Sequence, residues 1–262
     1  MEKIIDLERF PIDRPHSPEY TDLVERCQDE LDANGMFNLE GFLHPGIAQS
    51  CADSLSGPMK SSSFTHSRRH NIYFKKSLPD LPSDHPALRE FDTVNHTLCA
   101  DQLSGNAVLD IYEWEPLARF LAKVLKKEML FQMADPLARV NVMAYNQGEA
   151  LNWHFDRAEF TTTLLLQGAE IGGEFEYCSN LRSDTDPNYA MVAQLLNGQI
   201  DNVSKINPVA GTLNVFRGIN TPHRVTQVEG NRPRMIAVYS YFDRPGVVFN
   251  ASEQVGFYGR SL

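Results

Sequence analysis

Cysteine is scarce in this 262-residue chain. There are four, Cys27, Cys51, Cys99 and Cys178, and no two are closer than 24 residues. That spacing excludes a zinc knuckle or a CxxC redox site and leaves them as small buried hydrophobes. No run approaches the roughly 18 apolar residues of a membrane span. The opening MEKIIDLERF has neither the basic segment nor the apolar stretch of a secretory signal. A cytoplasmic protein with reduced thiols is expected. Basic charge is also short, with 24 Lys and Arg against 34 Asp and Glu and a formal net charge of −10. Lacking a Lys/Arg block to neutralise phosphates, the chain is not expected to bind nucleic acid. No internal repeat or low-complexity segment is present. What is there, 42% hydrophobic and 22% charged residues, is the composition of a folded globular protein. The length suits one large β-rich domain.

The chain divides by texture into a helical part (1–137), a β-rich core (138–245) and a tail (246–262). In the first part Ser17 reads as an N-cap, Pro18 as the first helical residue, and Gly35 as the stop. MFNLEGFL is a strand candidate. A second helix is expected over Pro45–Leu55, ended by Gly57 and Pro58, and a third, strongly amphipathic, over Glu115–Lys127. Residues 60–86, with Arg68, Arg69, His70 and prolines at 79, 82 and 86, read as a long polar loop with one strand at NIYF. From Arg139 the period changes to two. RVNVMAY, ALNWHFD, FTTTLLLQ, GEFEYC, TLNVF, HRVTQV and RMIAVYSYF are strands separated by turn residues, interrupted by a helical insert near Pro187–Gly198. The fold class is α+β, a β-sandwich or jelly roll with helices packed outside.

In LNWHFD, His154 and Asp156 are one residue apart on a strand, so both leave one face while Trp153 and Phe155 leave the other. His223 is the only other histidine of the β-rich part. Two imidazoles and one carboxylate form a facial triad that leaves positions open on non-haem Fe(II). HxD is also common by chance, and on spacing alone the alternative reading of both histidines is that of hydrogen-bonded core residues. Arg232 and Arg234 follow His223 by nine and eleven residues, and the last strand puts Arg234 on one face with Ile236, Val238 and Ser240. A buried guanidinium needs an anion, which its planar fork holds bidentately; the alternative is a surface arginine at a strand start.

Taken in order, Tyr145, the His154/Asp156 pair, GGEFE, GTLNVF, His223, Val225, Val228, Gly230 and Arg234 resemble the Fe(II)- and 2-oxoglutarate-dependent oxygenases, over roughly 40% of the chain. The resemblance implies a double-stranded β-helix in which His154, Asp156 and His223 bind iron. It further implies that Arg234 pairs with the distal carboxylate of 2-oxoglutarate and that the Tyr145 hydroxyl contacts the cosubstrate. Arg234 is preferred to Arg232 because Pro233 cannot donate to a sheet ladder, so the paired strand starts after it. The segment PHRVTQVEGNRPRMIAVYSYFDRPG is similar to the branch of small-molecule amino-acid hydroxylases and radical halogenases. The halogenases have a small residue where the carboxylate ligand would stand; Asp156 is present here, which implies hydroxylation.

The expected activity is hydroxylation of an unactivated C–H bond in a small molecule, a free amino acid or derivative. The alternatives are a peptidyl hydroxylase and a cupin-like metal-binding protein without oxygenase activity. Arg157, Arg69 and His70 are the candidates to meet the substrate, with Arg68 and Asn71 nearby; the bland reading of each arginine is a solvated loop residue. Glu159 and the Thr161–Thr163 run are further cavity candidates. The expected cofactors are Fe(2+) and 2-oxoglutarate. The expected partners are the small-molecule substrate and O2, with a homodimer allowed and neither nucleic acid nor membrane.

Overall fold

The computed structural model describes residues 1–78 and 81–262, and two antiparallel sheets dominate it, enclosing one cavity between them. In chain order the elements are α1 (Pro18–Asn34), β1 (Met36–Leu39), α2 (Ile47–Ser62), β2 (Phe64–His70), β3 (Phe91–Cys99), α3 (Ala107–Glu113), α4 (Glu115–Val124), β4 (Phe131–Gln132), β5 (Val140–Tyr145), β6 (Leu151–His154), β7 (Thr161–Gln167), β8 (Ile171–Gly172), β9 (Phe175–Tyr177), α5 (Tyr189–Leu196), β10 (Ser204–Ile206), β11 (Leu213–Phe216), β12 (His223–Val225), β13 (Val228–Glu229), β14 (Arg234–Tyr239), β15 (Tyr241–Phe242) and α6 (Ala251–Tyr258). The large sheet runs β1-β11-β7-β14-β5-β3-β2 and the small one β10-β9-β12-β6. This is the expected double-stranded β-helix. No helix among the described residues is long and apolar enough to cross a membrane.

Alternation along the large sheet decides what each face does. On β5, Val140, Val142 and Ala144 pack into the core beneath the helices, while Asn141, Met143 and Tyr145 line the cavity. On β14, Met235, Ala237 and Tyr239 face the core and Arg234, Ile236 and Val238 face the cavity. A slip of one residue would put apolar groups into the cavity and Arg234 into the core, so this alternation fixes the register. The α1 start and stop are as the sequence predicts. Ser17 Oγ accepts from Tyr20 N–H, and Gly35 at φ 71 closes the helix on Leu31 O.

The structure corrects the reading of the first 137 residues as a helical part, because β1, β2 and β3 lie within it and complete the large sheet. The stretch read as a loop with a strand at NIYF instead forms β2 at Phe64–His70, paired with β3. NIYF itself is a turn in which Asn71 Oδ1 accepts from the Tyr73 and Lys75 N–H groups. The position read as proline punctuation at Pro79 lies outside the described residues. β2 and β3 escape detection because their inward residues, His66, Arg68, Thr93, Asn95 and Thr97, are polar although they line the cavity. Polar residues on both faces erase the hydrophobic alternation. The second helix continues past Gly57 and Pro58 to Ser62 because Met59 is buried on the same face as Leu55, and that packing outweighs the missing proline N–H. The C-terminal tail contains α6. Its Asn250/Glu253 capping box and Gly259 stop were the available signals.

Candidate metal centre and its cavity

His154 ends β6, His223 begins β12, and the two are direct register partners with ring centroids 4.2 Å apart. Each Nδ1 contacts the carbonyl two residues earlier in the chain: His154 to Asn152 O at 2.8 Å and His223 to Thr221 O at 3.0 Å. A carbonyl only accepts, so Nδ1 carries the hydrogen and Nε2 is left with its lone pair. β6 ends at His154, but the extended course persists, with Phe155 N–H donating to Ile72 O and Asp156 N–H to Gly218 O. Asp156 therefore leaves the same face as His154. Its Oδ1 lies 3.4 Å from His154 Nε2 and 3.6 Å from His223 Nε2, and its Oδ2 accepts from Thr161 Oγ1 at 2.5 Å.

The three candidate ligand atoms fall within 4.8 Å of one another. Burial pushes the Asp156 carboxyl up, but His223, His154 and Thr161 together outweigh it and hold it below the usual carboxylate range. Burial, then His154, push His223 down to about 4. The donor set at neutral pH holds one carboxylate and a neutral His223, and the three ligand atoms converge. That arrangement suits a divalent transition metal. Gly218 makes room for it, because a Cβ there would fall 2.1 Å from Asp156 Oδ2. Trp153 and Phe155 leave the opposite face and are buried, as expected.

Arg234 begins β14 in register with Tyr145 of β5. The arginine is 3% exposed, and its Nη1 is buried with no partner. Burial pushes the guanidinium down to about 10 and the Tyr145 phenol up to about 12. Arg232 is exposed and donates to Ala169 O. Triad, Tyr145 and Arg234 line one cavity of about 310 Å³.

The substrate candidates separate. Arg69 is the correction. It lies on the outer face of β2, exposed and bonded to Glu90, because its neighbour Arg68 takes the inward position of the alternation. Arg157 lines the cavity mouth beside Phe257. His70 also lines it, but both its ring nitrogens are engaged, Nδ1 with Asn71 O and Nε2 with Thr93 Oγ1. Glu159 is exposed and paired with Lys127. Sequence reasoning missed the Thr161 bond to Asp156, the space left by Gly218 and the contribution of Phe257 and Tyr258 from the tail.

A family model described as halogenase D matches residues 20–252. No curated protein matches the chain. Among solved structures, a Trichoplax adhaerens prolyl hydroxylase in complex with a hypoxia inducible factor oxygen degradation domain peptide fragment is 14% identical with a TM-score of 0.53, covering 86% of this chain and 91% of its own. A Pseudomonas putida prolyl-4-hydroxylase is 15% identical with a TM-score of 0.53, covering 85% and 100%. The non-heme alpha ketoglutarate dependent carbocyclase SnoK from nogalamycin biosynthesis is 11% identical with a TM-score of 0.57, covering 87% and 89%. At such identities the likeness is one of fold.

Proposed function

This chain belongs to the halogenase D family, and from that premise we propose that it is an Fe(II)- and 2-oxoglutarate-dependent dioxygenase that hydroxylates an unactivated C–H bond of a small molecule, a free amino acid or derivative. The observation that carries the reading is the buried, unpartnered Arg234 guanidinium in the cavity of the His154/Asp156/His223 triad. An unpaired buried charge is costly, and an acid that reaches the metal with one end and Arg234 with its carboxylate relieves it. The residues present therefore fit both groups. His154 and His223 would hold iron through Nε2 and Asp156 through Oδ1, and Tyr145 would hydrogen-bond the cosubstrate. Bound together, iron and 2-oxoglutarate supply an oxidant, made from O2, that can remove hydrogen from an unactivated carbon.

The chain's own residues do the positioning. Thr161 occupies Asp156 Oδ2, which leaves Oδ1 to face the metal. The i−2 carbonyls keep both imidazoles turned with Nε2 inward. Asp156 also favours hydroxylation over halogenation, since a carboxylate oxygen stands where a halide would have to bind. A cavity of about 310 Å³ lined partly by Phe257 and Tyr258 favours a free small molecule over a protein side chain. The test is succinate formation from 2-oxoglutarate with Fe(II) and a metabolite panel, read alongside equilibrium binding of 2-oxoglutarate and Mn(II). Binding of both, with a substrate gaining one oxygen, is expected. Failure to bind either would favour the cupin-like alternative, and oxidation of peptides alone would favour the peptidyl one.

A further inference from the structure

The end of the cavity away from Arg234 is basic. β2 directs His66, Arg68 and His70 inward. The Arg68 guanidinium lies 4.5 Å from the centre of the Phe74 ring, and that ring stacks on His70 at 4.4 Å. Phe74 holds this place with φ 54, a left-handed conformation that an aromatic residue rarely adopts and that marks functional sites more than others. Arg157 enters beside Asp156, over the Phe257 ring, with Glu253 at a loose 3.6 Å. That glutamate caps α6 through its other oxygen and does not line the cavity. Burial, and then the charge of Arg157, push the Arg68 guanidinium down, and no carboxylate offsets them. Among the described residues the only carboxylate lining the cavity is Asp156, which belongs to the triad.

An ammonium group entering this end would meet two guanidiniums and no free acid. We propose that Arg68 and Arg157 clamp an anionic group of the substrate and set specificity, so that the substrate is a small organic acid of net negative charge, such as an acidic amino acid or a dicarboxylic acid, and not a basic amino acid. This rests on the oxygenase reading for which end receives 2-oxoglutarate. Arg234 on β14 and Arg68 on β2 are three strand spacings apart in the order β14-β5-β3-β2, about 14 Å at roughly 4.8 Å per strand. Two ends so separated hold two different acids.

The experiment is calorimetric titration of the Mn(II)- and 2-oxoglutarate-loaded protein, without turnover, using glutamate, glutamine and lysine as probes of similar length and opposite charge. Glutamate binds most tightly and lysine most weakly, with roughly a hundredfold between them, because juxtaposed like charges disfavour association strongly. In Arg68→Gln and Arg157→Gln the glutamate affinity falls by roughly thirtyfold, while 2-oxoglutarate affinity is unchanged; Arg68→Lys, which keeps the charge, recovers part of it. Equal or tighter binding of lysine, no binding of any probe, displacement of 2-oxoglutarate by glutamate, or unchanged glutamate affinity in both Gln variants overturns the clamp. If 2-oxoglutarate itself fails to bind, the oxygenase reading falls instead, and the same charge ranking, measured without it, still decides the clamp.

Discussion

Arg234 and Arg68 point into the same cavity from the same sheet, yet they are held in opposite ways. Arg234 begins a strand flanked on both sides, β7 and β5, is almost wholly buried, and has a nitrogen with no partner. Arg68 sits on the edge strand β2, half-buried against Phe74. A guanidinium fixed without an acid can serve only an anion that returns every cycle, whereas one on an edge strand can adapt to the molecule that arrives. The two ends therefore divide the work, with a rigid socket for the cosubstrate and a more accommodating rim for the substrate. The triad is itself rigidly held, since β6 and β12 pair directly at His154 and His223.

The rigid end is where substitutions hurt most. His223→Ala and His154→Ala each remove one of three donors, and the expected outcome is loss of Mn(II) binding and of all 2-oxoglutarate turnover, measured by metal titration and succinate release. Gly218→Ala follows closely, because the new Cβ must displace Asp156 Oδ2. Metal affinity should fall although the three ligands remain in the sequence. Full metal binding in Gly218→Ala would mean that Asp156 is not held where the triad needs it. Next in size is Arg234→Gln, which should raise the Kd for 2-oxoglutarate by roughly a hundredfold, since truncating one partner of a buried charge pair costs about 2–5 kcal/mol, with metal affinity retained. Arg234→Lys should recover little, because a point charge cannot reproduce the fork.

Those two ends were unequally legible in the sequence. His154, Asp156 and Arg234 could be read because a strand has period two and because Pro233 marks where β14 begins. The opposite wall could not, since Thr93, Asn95 and Thr97 of β3 and His66 and Arg68 of β2 are polar residues lining the cavity and carry no apolar alternation. Arg69 drew attention over Arg68 because only the register of β2 against β3 tells which of two adjacent arginines turns inward. The roles of Thr161 and Gly218 depend on contacts across the fold, 5 and 62 residues from Asp156, that no local pattern encodes.

The adaptable end has its own anchor. Asp135 is fully buried, and its two oxygens accept four N–H groups: Leu137 and Ala138 on Oδ1, Phe249 and the Gln254 side chain on Oδ2. Burial pushes this carboxyl up, but those bonds prevail and hold it below the usual carboxylate range. Its contribution to stability is thus present above the unfolded pKa, about 3.9, and is lost as pH falls through the lower folded value. Asp135→Asn should cost about 2–3 kcal/mol at pH 7, as buried donors lose an acceptor, and the difference from the parent should shrink in melts at progressively acidic pH. Because Phe249 and Gln254 belong to the segment carrying α6, substrate affinity should weaken with it while Mn(II) affinity holds. Equal loss at both ends would erase the division.

The finest test of that division is Thr161→Val. Thr161 belongs to the rigid end but touches the metal only through Asp156, whose Oδ2 it occupies. Removing the hydroxyl while keeping the branched shape leaves β7 packed and frees the carboxylate to swing. Outer-shell partners of metal ligands are worth about 10–100-fold in affinity, and the lower end of that range is expected, because Asp156 N–H still bonds Gly218 O. Thr161→Ser should restore the parent value, and glutamate affinity at the Arg68 end should not move in either variant. A Thr161→Val protein with unchanged Mn(II) affinity would show that Asp156 is positioned by the backbone alone, and the hydroxyl would then be no more than a satisfied strand threonine.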